Sequence, residues 1–153
     1  MVRFPRTTLA APGYRGVMIG LAILCASCAP LPLPEPVAIA AACTATDGDT
    51  IRCGEERVRL LGIDAPEHGV CRAGRKCAPG DPVASTRSIE GALAQGRLTI
   101  RRVGTDRYGR TLALVSASGT DLSCHQLASG HAIYRSDWDN RRAVARTCPE
   151  LAR

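Results

Sequence analysis

Five charged side chains of this sequence have the types and spacing for chemistry on an anionic ligand. They are the carboxylates of Asp49, Asp64 and Glu67 and the guanidiniums of Arg59 and Arg110. Three carboxylates gathered in one place repel one another unless a cation compensates them. A hard divalent cation binds carboxylate and carbonyl oxygens, and nearby guanidiniums bind phosphate and stabilise charge that develops on it. The residues therefore predict a divalent-cation site beside a bound phosphate.

Each of these residues, taken alone, also has a structural explanation. Asp49 and Asp64 could be present merely to shape turns, and Arg59 could form a solvent-exposed ion pair. Strand geometry adds a difficulty, because Arg59 and Asp64 would point to opposite faces of a straight strand. We expect a bulge or twist at Gly62 to bring the two side chains to one site.

Alternating apolar residues and turn signals predict the elements that position these charges. The strands are predicted at residues 37–46, 49–53, 57–63, 97–103 and 111–117. Asp81 is the predicted N-cap of a helix that ends at Gln95, and Thr120 or Asp121 begins a shorter helix that ends at Gly130. Residues 131–135 are a final extended piece. This order favours a small closed barrel with attached helices.

The N-terminus predicts a targeting segment. Three arginines precede an uncharged apolar run at residues 16–29, and a proline-rich linker follows at residues 30–36. This pattern is typical of a signal peptide over residues 1–29, and the lack of a polar face disfavours a core helix. Cleavage before Cys28 would make a lipoprotein anchored at that residue, whereas ordinary cleavage nearby or after Ala40 or Ala42 would not. Residues 37–153 then form one domain, exported to the periplasm, the medium or the cell envelope.

Six of the eight cysteines lie in the predicted domain, as expected for a protein of an oxidising compartment. Six cysteines allow 15 pairing schemes, and we predict pairing of nearest neighbours. The predicted disulfides are Cys43–Cys53 across the hairpin that turns at Gly48, Cys71–Cys77 within a loop, and Cys124–Cys148 at the C-terminus. A zinc site is the rival interpretation, but no Cys-x-x-Cys motif lies beyond the signal segment.

The chain carries a formal charge of +6, and the predicted domain is mildly basic once the signal arginines are set aside. This favours an anionic partner, although a solvated arginine surface is the ordinary explanation. The loop residues Arg72, Arg75 and Lys76 form a candidate phosphate-binding patch. A disulfide-closed, solvated loop explains them equally well.

Three motifs occur in the order Asp-Gly-Asp-Thr at residues 47–50, Val-Arg-Leu-Leu-Gly-Ile-Asp-Ala-Pro-Glu at 58–67, and Asp-Arg-Tyr-Gly-Arg at 106–110. In this order they resemble the staphylococcal (micrococcal) nuclease family, the thermonucleases. The resemblance covers about residues 43–132. It implies a five-stranded OB-fold-type β-barrel with two or three attached helices, and Ca²⁺-dependent hydrolysis of DNA or RNA.

The resemblance also implies roles for individual residues. Asp49 and Asp64 would bind the metal through their carboxylates, and Ala65 through its backbone carbonyl. Glu67 would act as, or orient, the general base, while Arg59 and Arg110 would bind the scissile phosphate. Arg107 and Tyr108 would lie beside the nucleotide.

Two features of the sequence depart from the family pattern. The C-terminal segment from Trp138 onward is shorter than the family's helical end, and position 65 carries alanine where threonine is common.

A non-catalytic OB-type module that binds oligonucleotides or a protein is the main alternative function. A structural envelope lipoprotein is the other. The protein is expected to act as a monomer on its nucleic-acid substrate.

Overall fold

The computed structural model describes residues 32–71 and 73–153. The signal segment, Cys28, the first linker residues and Arg72 lie outside the described residues, so those predictions stay predictions. The strands of this part of the chain are β1 (Val37–Ala38), β2 (Cys43–Asp47), β3 (Thr50–Cys53), β4 (Glu56–Leu60), β5 (Ile63–Asp64), β6 (Leu98–Thr105), β7 (Thr111–Ala117), β8 (Thr120–Asp121) and β9 (Ile133–Tyr134). The helices are α1 (Pro82–Leu93), α2 (Leu122–Ala128) and α3 (Ala143–Thr147), with two 3₁₀ turns at Ser136–Trp138 and Asn140–Arg142.

The main sheet has the strand order β1-β6-β7-β4-β3-β2, with β8 added beside β7. All its pairs are antiparallel except β4 with β7, which is parallel. Although β1 and β2 lie at opposite ends of this order, only residues 39–42 separate them along the chain. So short a connection spans less than about 20 Å, and the sheet must therefore curl until its ends approach. The predicted α+β fold of the OB type, with attached helices, is confirmed.

The prediction of continuous first and third strands was wrong. The first strand divides into β1, which pairs with β6, and β2, which pairs with β3. The third ends at Leu60, and the chain turns at Gly62, whose φ of +67° is a left-handed conformation that glycine adopts without strain. Beyond Gly62, β5 leaves the main sheet and pairs with β9.

Both predicted helix starts are confirmed by their caps. The side chain of Asp81 accepts a hydrogen bond from Val83 N at 2.8 Å, and Pro82 occupies the first turn of α1. The side chain of Asp121 accepts one from Cys124 N at 3.0 Å at the start of α2. Each cap satisfies a backbone donor that the first helical turn leaves free.

Two apolar clusters hold these elements together. The larger lies between the curled sheet and the helices and contains Ile51, Val58, Ile63, Ile89, Ile100, Val115 and Leu122. The smaller packs Leu61 and Leu114 against Val144 and Cys148 of the C-terminal segment. Burying each large aliphatic side chain stabilises the fold by about 1.5–3 kcal/mol. The C-terminal segment is therefore an integral part of the domain.

The three predicted disulfides are confirmed: Cys43–Cys53, Cys71–Cys77 and Cys124–Cys148. Cys43 and Cys53 are direct cross-strand partners in β2 and β3, as the hairpin at Gly48 predicts. Cys124–Cys148 connects α2 to the end of α3. Within the residues that the structure describes, every helix is too short or too polar to cross a bilayer.

Candidate functional site

The hairpin between β2 and β3 places Asp49 inside the protein. Asp49 is only 7 % exposed, and its Oδ2 accepts a hydrogen bond of 2.9 Å from Ala65 N. The turn before it is fixed by Gln126, whose Nε2 donates to Gly48 O at 2.8 Å. A Cβ at Gly48 would lie 1.8 Å from Ser85 Oγ, so only glycine fits between the hairpin and α1. The carboxylate of Asp49 and the Asp64–Ala65 peptide are thereby held side by side.

The turn at Gly62 removes the difficulty that strand geometry raised for Arg59 and Asp64. Arg59 Nη2 donates to Ile63 O at 3.0 Å, and Nη1 donates to Asp49 O at 3.3 Å and also forms an ion pair with the carboxylate of Asp49. Arg59 thus reaches across the turn to both carboxylate-bearing segments. The expected bulge or twist at Gly62 is instead a left-handed turn that ends the strand.

Asp64 is almost completely buried between two guanidiniums. Its Oδ1 lies 3.0 Å from Arg75 Nη2, and its Oδ2 lies 3.1 Å from Arg135 Nη2. Arg75 also forms an ion pair with Glu67, which is exposed. The loop residue Arg75 therefore binds a predicted metal ligand and the predicted general base at the same time.

Trp138 lies among these arginines. The guanidinium carbons of Arg59, Arg75 and Arg135 are 5.4, 5.8 and 5.5 Å from the centre of its ring. All three distances are within the range of cation–π attraction. The indole therefore helps to hold three cations that would otherwise repel one another.

The turn between β6 and β7 supplies the other predicted residues. Arg110 is held by Asp106, with 2.8 Å between Nε and Oδ2. Tyr108 is 58 % exposed, and its ring contacts the guanidiniums of Arg107 and Arg110 at 4.8 and 5.6 Å. The phenol and the two arginines are thus presented to the solvent as one cationic, aromatic surface.

One cleft of about 1120 Å³ joins these parts. The lining includes the predicted residues Asp49, Arg59, Ala65, Glu67, Arg75, Arg107, Tyr108 and Arg110, and also Trp138. Lys76 is not among them, and its carbonyl accepts a hydrogen bond from Arg135. Of the predicted basic loop, the described residues therefore bring only Arg75 into the cleft.

Burial lowers the pKa of Arg59 but leaves its guanidinium charged at neutral pH. Desolvation, and then the positive charge of Arg110, lower the pKa of Arg59 to about 10, against the opposing effect of Asp47 and Asp64. A pKa of about 10 leaves the guanidinium charged at neutral pH. The cleft therefore retains a buried cation that can bind a phosphate.

Residues 57–151 match the family model described as staphylococcal nuclease homologue. The chain belongs to this family. It is also similar to the succinoglycan biosynthesis protein ExoI of Rhizobium meliloti (strain 1021), with 36 % identity over 102 residues, which cover 65 % of this chain and 53 % of that protein. The chain thus spans about half the length of this relative.

Members of the staphylococcal nuclease family are typically Ca²⁺-dependent. The donor set fits a hard cation, since Asp49, Asp64 and the Ala65 carbonyl offer only oxygen. Among the described residues, however, no three His, Cys, Asp or Glu side chains converge as a metal-binding group. Asp49 and Asp64 are instead compensated by Arg59, Arg75 and Arg135. A cation that binds Asp49 and Asp64 competes with these guanidiniums.

Sequence reasoning missed several residues that shape the site. Arg135 and Gln126 were not singled out, and for Trp138 both base stacking and packing were considered, with packing favoured. The buried amide of Gln126 also donates to Ser85 O and Ser85 Oγ at 3.1 and 3.0 Å. The sequence did offer a signal for the cationic and aromatic part of the site. Arg135 and Trp138 follow within a few residues of Gly-His-Ala at residues 130–132.

Proposed function

We propose that this protein is an exported nuclease that hydrolyses phosphodiester bonds of DNA or RNA with Ca²⁺ and little sequence preference. The observation that carries the proposal is the convergence of three family motifs on one cleft. Asp49, Arg59, Ala65, Glu67 and Arg110 all line it. Asp64 lies directly behind, buried and bound to Arg75 and Arg135.

In the proposed reaction, Arg59 and Arg110 bind the phosphate and stabilise the charge that grows on it. Glu67 accepts a proton from water as the water oxygen bonds to phosphorus. The bond from phosphorus to the leaving oxygen breaks, and that oxygen takes a proton from solvent. Ca²⁺, held by Asp49, Asp64 and the Ala65 carbonyl, would supply further neutralisation of the phosphate charge.

Two features support export as part of the proposal. Three disulfides lie within the described residues, which is the pattern of oxidising compartments. The sequence of residues 1–29 has the order of a signal peptide. Lipid attachment at Cys28 remains an accompanying proposal, and mass spectrometry of the mature N-terminus tests it.

The experiment that tests the function is cleavage of labelled single-stranded DNA, double-stranded DNA and RNA by the disulfide-bonded domain. Ca²⁺, Mg²⁺, Mn²⁺ and Zn²⁺ are compared with EDTA. We expect cleavage of all three substrates with Ca²⁺ and none with EDTA. Cleavage that EDTA leaves unchanged would refute the Ca²⁺ requirement.

One observation favours a second candidate, a non-catalytic OB-type binding module. Arg75 and Arg135 already compensate Asp64, so the fold is electrostatically complete around that residue without a metal. Nucleic-acid or protein binding that is independent of Ca²⁺, with no cleavage under any metal, would establish this alternative.

A further inference from the structure

Two arginines face each other on the exposed surface of the β3–β4 hairpin. Arg52 of β3 and Arg57 of β4 are direct cross-strand partners, and both are exposed. Like charges in directly opposite positions destabilise a sheet, by an amount on the order of 0.2–1 kcal/mol. Among the described residues, neither side chain takes part in an ion pair.

The nearby carboxylate of Glu56 is already engaged and does not compensate this pair. Arg102 Nε and Nη2 donate to its two oxygens at 2.7 and 2.6 Å. Thr111 Oγ1 donates to the same carboxylate at 2.9 Å. The two facing arginines therefore present uncompensated charge to the solvent.

The same row of the sheet continues toward the cleft. Val58 is the partner of Thr111 in the parallel pairing of β4 with β7, so one further step places Arg57 beside Arg110. Arg57 also lines a shallow pocket with Glu67, Arg75, Tyr108 and Arg110, and these four residues belong to the cleft as well. Arg52 of β3, Arg57 of β4 and Arg110, which directly precedes β7, thus form a row about 10 Å from first to last.

We propose that this row, the arginine track, binds phosphates of a single-stranded nucleic acid outside the cleft. The inference rests on the proposed function for its ligand class, since the strand enters from the cleft at Arg110. OB folds bind roughly 4–16 nucleotides of single strand, which is more than a cleft around one phosphate accommodates. The track extends the binding surface over β3 and β4, and it acts through charge without reading sequence.

The test compares two double variants with equal changes of charge. Arg52→Gln/Arg57→Gln removes the outer part of the track, and Arg87→Gln/Arg97→Gln removes two exposed arginines that line neither pocket. Binding of twelve-nucleotide and three-nucleotide single-stranded DNA is followed by fluorescence anisotropy over a series of salt concentrations. EDTA is present throughout, so that the comparison does not depend on cleavage.

We expect the track variant to bind the twelve-nucleotide strand about tenfold more weakly at low salt. The slope of log affinity against log salt should fall in magnitude by about 1.4, which is about 0.7 for each lost phosphate contact. Binding of the three-nucleotide strand, and both affinities of the control variant, should stay within twofold of the wild type.

Equal losses in the two double variants would overturn the track, because net charge alone would then explain the binding. Unchanged binding of the longer strand by the track variant would overturn it as well. An acidic polysaccharide such as alginate that competes as well as the longer strand would overturn the nucleic-acid assignment. Absence of cleavage with every metal refutes the proposed nuclease, but a selective loss in the track variant would still support the track.

Discussion

Arg75 and Asp64 form an ion pair in which 3.0 Å separates Nη2 from a carboxylate oxygen that is almost inaccessible to solvent. Arg75 belongs to the loop closed by Cys71–Cys77, whereas Asp64 ends the segment β5. The same guanidinium binds Glu67. A cation that binds Asp64 must therefore compete with a positive charge that the protein itself supplies.

Replacement of Arg75 by glutamine should strengthen Ca²⁺ binding, by about tenfold, because the cation then competes with one guanidinium fewer. Isothermal titration calorimetry without nucleic acid measures this affinity. Arg107→Gln is the matched control, since it removes the same charge from the cleft but Arg107 contacts Tyr108 and no carboxylate. Equal changes in the two variants would mean that the general potential of the cleft, and not competition at Asp64, sets the affinity.

Replacement of Glu67 by glutamine, or of Arg110 by alanine, should lower kcat/KM for DNA cleavage by about 10²-fold or more. Each change removes an interaction that the proposed reaction needs in its transition state. Rates are measured with saturating Ca²⁺, and circular dichroism confirms folding. Ser118→Ala lies on the exposed turn between β7 and β8. It controls for effects of mutagenesis and purification and should retain the parental rate. A Glu67→Gln protein as active as the parent would exclude Glu67 as the general base.

Asp121 should make stability depend on pH. Burial raises the pKa of Asp121 to about 6, with a further contribution from Asp139 that two backbone hydrogen bonds oppose. The folded protein therefore binds more protons than the unfolded chain between pH 4 and 6. The contribution of Asp121 is fully present below about pH 4 and is lost as pH rises to about 6, at a cost of about 2–3 kcal/mol.

Asp121→Asn keeps a side-chain oxygen for the cap but cannot ionise. Urea unfolding at pH 4, 5, 6 and 7 should show the variant gaining stability relative to the wild type up to pH 6, and no further change above it. Parallel pH profiles for the two proteins would show that Asp121 titrates normally in the folded state.

Gly62→Ala should destabilise the fold by about 2–4 kcal/mol. The backbone at φ +67° disfavours any Cβ, and a Cβ there would lie 2.9 Å from Val144 Cγ2. Gly130 is a matched control, because its φ is +69° and a Cβ there would meet nothing within 4 Å. Gly130→Ala should therefore lose only the backbone part, about 1–2 kcal/mol, and thermal unfolding of both variants separates the two effects. Equal losses would exclude the contact with Val144 as a cause.

Local features of this fold could be predicted from sequence, because local interactions decide them. Asp81 and Asp121 cap helices through their own following amides, and Cys43 and Cys53 face each other once the chain turns at Gly48. Neither the caps nor this disulfide required knowledge of distant contacts. The motif order, through the family resemblance, grouped Asp49, Arg59, Glu67 and Arg110, and all four line one cleft.

The partners of the site residues could not be predicted, because they come from remote parts of the chain. Arg135 reaches Asp64 across 71 positions, and Gln126 reaches Gly48 across 78. The third strand divides because the backbone turns at Gly62. Val144 packs against that glycine from the C-terminal segment, and such a contact is set by tertiary structure. Periodicity carries no information on such pairs.

Trp138 gives the protein an intrinsic optical probe of its own cleft. It is the single tryptophan of the sequence, so all indole fluorescence reports on one position. Its ring contacts three arginines, and each of these binds Asp49 or Asp64. Any ligand that draws these guanidiniums away should change the emission of the unlabelled protein, so occupancy of the cleft can be followed in real time at micromolar concentration.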